Sequence, residues 1–148
     1  MTVRRVLERE MAYAAATRLT EGELAELLAT IEGMEATYDD YGRFRALDLA
    51  FHAIVMKASG NEVGLTIVRA IHRHGGVRPP LATAASRAEL GETVAAHRAI
   101  HGALAARDAE LAAERISSHI DAAWAERKQK PRSAAPHAPA RGRPSMSQ

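Results

Sequence analysis

Apolar residues recur along most of the chain at three- and four-residue intervals, the spacing that puts side chains on one face of an α-helix. Six such stretches can be marked out. The first covers about residues 3–18, with Leu7, Met11, Ala14 and Ala15 on one face. The second carries Leu24, Leu27, Leu28 and Ile31, opened by Thr20 and Glu23 at the spacing of a capping box. In the third, Phe44, Leu47, Phe51, Ile54 and Val55 form the stripe, with Asp39 or Asp40 as cap and Gly60 as stop. Asn61 caps the fourth, which is predicted to end near Gly75 and Gly76. Ser86 and Glu89 form another capping box and open the fifth; Asp108 caps the sixth, which runs to about Arg127. No stretch alternates as a strand would. The pattern predicts an all-α antiparallel bundle of about six helices.

Composition narrows the chemistry. The 148 residues are enough for one core, and the six prolines sit only at Pro79–Pro80 and from Pro131 onward. There is no cysteine, so disulfides, thiolate catalysis and thiolate metal sites are excluded. No apolar run is long enough to span a bilayer, and the N-terminus lacks the apolar core of a signal peptide, so a cytoplasmic protein with no membrane partner is expected. Five of the 20 basic residues lie from Lys128 onward, where there is no acid, leaving 15 against all 18 acidic residues in the preceding stretch. The division expected is a helical domain over 1–127 and a basic, Pro/Ala/Arg-rich disordered tail over 128–148. A mildly acidic body offers no large basic face to nucleic acid.

Several polar residues fall where the helical stripes call for apolar ones. Asp48 and His52 lie four apart among Phe44, Leu47, Phe51 and Val55, one above the other on the inward face. His97 falls among Leu90, Val94 and Leu104, and His119 among Ile116, Ile120 and Ala123. With a turn at Arg107 and Asp108, His97 and His119 are each eleven positions from Asp108 and reach the same height on an antiparallel hairpin. A single histidine on an apolar stripe is more often a satisfied core residue than a ligand. Two coincident spacings point to a metal site, and three imidazoles with one carboxylate suit Zn, Ni, Mn or Fe better than Ca.

The segments LDLAFHAIVMKASGN (Leu47 to Asn61) and AHRAIHGALAARDAELAAERISSHI (Ala96 to Ile120) resemble the FCD domain, the C-terminal effector-binding domain of FadR-subfamily GntR transcription regulators. The opening VRRVLEREMAYAAATRLTEGELAEL (Val3 to Leu27) is similar to the start of the same domain. The resemblance implies that Asp48, His52, His97 and His119 bind a divalent metal ion whose open positions take the carboxylate of a small organic-acid effector. It also implies a homodimer and a sensing role with no enzymatic one. Arg4, in an R-x2-L-E opening, is a candidate to pair with the effector carboxylate, and His101 a candidate to line the pocket. Glu8 reads as a helix-surface acid, His72 and His74 as residues complementing a helix end, and Trp124 as packing at the bundle end or on a partner subunit. Members of the family carry a winged helix-turn-helix domain ahead of this one, whereas Met1 here falls at the effector domain's start; DNA contact is expected only through a missing or partner winged-helix domain. The competing readings are a metal-dependent hydrolase and a helical interaction module with no ligand.

Overall fold

The computed structural model describes residues 2–74 and 84–129. Among them are six helices and no strand: α1 (Thr2–Ala16), α2 (Glu21–Glu35), α3 (Tyr41–Ala58), α4 (Glu62–His74), α5 (Ala84–Ala105) and α6 (Ala109–Gln129). The expected all-α bundle is therefore the fold. α6 runs two residues into the expected tail, to Gln129; the predicted stop at Gly75–Gly76 and the rest of the tail, from 130 onward, lie outside the described residues. No described helix is long and apolar enough to cross a membrane.

Most helix starts are set by local chemistry. Thr20 accepts from the Glu23 amide while the Glu23 carboxylate takes the Thr20 N–H, a complete capping box. Asp40 accepts from the Arg43 amide, Asn61 from the Gly64 amide and Asp108 from the Leu111 amide, satisfying N–H groups that a helix start leaves without intrahelical partners. Ser86 differs from expectation: α5 begins two residues earlier, at Ala84, so Ser86 lies inside the helix.

The α5–α6 turn has a left-handed residue. Arg107 sits at φ 59, and the amides of Arg107 and Asp108 donate to the carbonyls of Leu104 and Ala103, the Schellman closure of a helix C-terminus. Glycine is the usual residue there; an arginine pays a steric cost of about 1 kcal/mol or more. Its guanidinium recovers contacts, donating to the carbonyls of Leu19 and Ala16 and to Glu21. The turn is thereby tied to the connection between α1 and α2.

Few aromatics are available to fill the interior, and the core is built from aliphatic and small residues. Phe51, Leu27, Ile31, Met34, Met56, Ile100, Leu104, Ile116 and Ile120 are almost fully enclosed. Along the α1–α6 contact the buried residues include Ala12, Ala15, Ala16, Ala112 and Ala113, whose small side chains let the two helices approach closely. α3 lies against α1, α2 and α4, and α5 against α1, α2 and α6. Residues on the inward faces of α1, α3, α5 and α6 thus converge near one level of the bundle.

Candidate metal centre

That convergence holds four potential donors. Asp48 and His52 come from consecutive turns of α3, His97 from α5 and His119 from α6. One ligand atom from each lies within 4.8 Å of those of the others. All are sheltered, from 0% exposure for His97 to 8% for His119, which forms the most open edge of the group. The His97 and His119 ring centroids are 4.6 Å apart, and the His52 ring is 5.4 Å from each. Phe51 packs edge-on against His97 at 4.4 Å and closes the apolar side.

The hydrogen bonds fix which ring nitrogens are free. His52 Nδ1 is 2.6 Å from Glu8 Oε2, an ionised carboxylate that can only accept, so Nδ1 carries the proton. His97 Nδ1 is 2.7 Å from the Thr93 carbonyl, again an acceptor, so there too the proton is on Nδ1. The Nε2 atoms of both rings are buried without a hydrogen-bond partner among the described residues. Each presents a lone pair toward Asp48 Oδ1, at 3.7 Å from His52 and 3.3 Å from His97. Two lone pairs facing a carboxylate in a dry interior repel one another unless a cation sits between them. The residues present therefore fit a divalent ion bound by neutral imidazoles and a carboxylate.

Electrostatics agree with that donor chemistry. Burial holds His52 below its ordinary value against the opposing pull of Glu8 and Asp48. Burial lowers His119 well below its own, with His97 and His52 adding to the effect. For Asp48, burial alone would raise the carboxyl. His97, His52 and Arg45 outweigh it and keep the group ionised. Arg45, one turn before Asp48, pairs with Asp48 Oδ2 and leaves Oδ1 turned to the imidazoles.

The other residues singled out in the sequence sit differently. Arg4 is 5% exposed, with its Nε donating to Glu8 Oε1 at 2.6 Å, so its charge is engaged inside the protein. His101 turns away to α2, where its Nε2 is 3.1 Å from the Leu24 carbonyl, and it does not join the four donors. Glu8 is no surface acid: it is fully buried between Arg4, His52 and His72. His72, expected only to complement a helix end, reaches inward with Nε2 3.2 Å from Glu8 Oε1. The sequence held a signal for Glu8. Arg4, Glu8, Met11, Ala12 and Ala15 share the buried face of α1, and a stripe drawn through Leu7 and Ala14 missed it.

The solved structure of E. coli McbR/YncC is similar, with a TM-score of 0.77 at 22% sequence identity over 86% of this chain and 65% of that one. The Streptococcus agalactiae GntR structure gives 0.67 at 23% identity, covering 82% of this chain and 54% of its own. This chain thus spans a little under two thirds of the first protein and about half of the second. No curated protein sequence matches it significantly. The family model described as the FCD domain matches residues 1–122, which take in all four potential donors. The chain belongs to the FCD domain family.

Proposed function

We infer that this chain is the ligand-sensing domain of a GntR-family transcription regulator, holding a divalent metal ion through Asp48, His52, His97 and His119 and binding a small organic acid beside it. The observation that carries this reading is the pair of partnerless Nε2 atoms on His52 and His97, both aimed at Asp48 Oδ1. A cation between these groups would relieve the repulsion of lone pairs facing a carboxylate. The donor set suits Zn, Ni, Mn or Fe. When bound, such an ion would act as a Lewis acid with coordination positions left over for a carboxylate.

The chain's own residues supply the rest. His52 and His119, held below their ordinary values chiefly by burial, offer lone pairs without first losing a proton, Arg45 steadies the Asp48 carboxylate, and Phe51 excludes water from one side. An effector bound at the junction of α3, α5 and α6 favours whichever helix packing gives it tighter contact, and only by that difference in affinity. In a homodimeric regulator such a shift would change the spacing of winged-helix domains acting on DNA. The fold family and the regulator names of the two structural relatives support this sensing role over an enzymatic one.

The test is metal analysis of the purified chain, followed by thermal-shift screening of small dicarboxylates and hydroxy acids. One metal per chain is expected, with ligand stabilisation that requires it. A chain that takes up none of the four metals at micromolar concentration overturns the reading.

A further inference from the structure

Among the described residues, Glu8 is the one fully enclosed carboxylate whose position the four-donor site does not itself explain. It comes from α1, a helix that contributes none of the donors, and it is 0% exposed. One oxygen, Oε2, meets His52 Nδ1 at 2.6 Å. The other, Oε1, is held by Arg4 Nε at 2.6 Å and faces His72 Nε2 at 3.2 Å. Both oxygens are therefore committed, one to His52 and one to an anchor drawn from α1 and α4.

We propose that Glu8 is a positioning residue for the metal site: by accepting the His52 Nδ1 proton's hydrogen bond, it fixes the ring's tautomer and orientation so that Nε2 is the donor. The proposal rests on the metal reading above. An imidazole without that partner divides its proton between two nitrogens and can turn about its ring axis. With Glu8 fixed in place, one nitrogen is always protonated and the other always free. The negative charge on Glu8 also makes the His52 ring more electron-rich, strengthening its grip on a cation. Arg4 and His72 keep the carboxylate from swinging away, so α1 and α4 support the centre without touching it. Glu8, His52 and His72 could themselves gather around a cation. The Arg4 guanidinium on Oε1 argues against a second ion there, and His52 has one ring nitrogen for each neighbour.

Two measurements test the assignment on the full chain. Nitrogen-15 NMR of the metal-free protein reads the His52 tautomer, and titration with Zn and Ni reads affinity. The wild type is expected to show His52 protonated on Nδ1. Glu8→Leu should mix the tautomers and weaken metal binding by roughly ten- to a hundredfold. Glu8→Gln keeps an acceptor oxygen and loses the charge, so it should fall between the two while folding to a native circular-dichroism spectrum. If Glu8→Leu does not fold, Glu8→Gln alone decides. Unchanged metal affinity in a folded Glu8 variant overturns the proposal, as does a wild-type His52 protonated on Nε2. A wild-type chain that binds no metal but keeps His52 protonated on Nδ1 overturns the metal reading and leaves Glu8's hold on the ring intact.

Discussion

His97 and His119 stand eleven residues to either side of Asp108, and their ring centroids meet 4.6 Å apart. At a rise of about 1.5 Å per residue, each lies about 16 Å from the α5–α6 turn. A slip of one residue at the turn would carry one ring a third of the way around its helix, so the register of the hairpin is a condition of the site. Arg107 sets that register from the left-handed position.

Arg107→Ala should therefore destabilise the protein by about 2 kcal/mol through lost contacts to Leu19, Ala16 and Glu21, the φ strain being the same for arginine and alanine. Arg107→Gly should cost about 1 kcal/mol less, because glycine adopts a positive φ without strain. Urea midpoints of the two variants check the order; an alanine variant as stable as the glycine one would show that the turn is unstrained.

Among the donors, Asp48→Ala and His119→Ala should each abolish stoichiometric metal in the purified protein. The loss should exceed the roughly tenfold to hundredfold expected for an outer partner such as Glu8. Elemental analysis after dialysis reads the result. His101→Ala, which removes a side chain bonded to the Leu24 carbonyl, should leave the metal content unchanged.

Chelation is expected to lower the melting temperature. An ion present at about a thousand times its Kd contributes about 4 kcal/mol to folding, or some 15 °C at about 4 °C per kcal/mol. Scanning calorimetry with and without a chelator measures this directly, and identical transitions would contradict it.

Acid should weaken the metal-free fold in two stages. His52 and His119 take up protons below their ordinary 6.5 when folded, chiefly because they are buried. In Glu8, burial raises the carboxyl, but His52, His72 and Arg4 outweigh it and hold the group below the ordinary 4.5. Asp48 is likewise held well below 3.8. In every case the unfolded chain binds the proton first. Stability is then complete above about pH 6.5, declines as the histidines protonate in the unfolded state, and falls again below about pH 4.5. Denaturant midpoints across this range give the curve; a midpoint that rises between pH 7 and pH 5 would reverse the assigned sign.

How far the sequence revealed this depends on the range of the interaction concerned. Thr20, Asp40, Asn61 and Asp108 act on amides three residues away, so their caps could be read directly. Asp48 and His52 share a helix face, and His97 and His119 share a hairpin, so helical geometry alone predicts those two pairs. The closing of one pair on the other came from bundle packing, which spacing does not encode. The burial of Glu8 could be read from the face it shares with Met11, Ala12 and Ala15, but its partner His52, 44 positions away, could not. His101 misled in the opposite direction, since its four-residue offset from His97 says nothing about the α2 carbonyl that claims its ring.

The enclosure of the four donors also bears on timing. An ion at their centre would be enclosed by four residues that are each no more than 8% exposed. Its escape would wait on helix separation, a rare event in a well-packed bundle, so exchange would be slow even where affinity is moderate. The element recovered from a preparation would then record which metal was abundant when the chain folded. An isotope chase over hours would reveal such trapping, whereas complete turnover within seconds would exclude it.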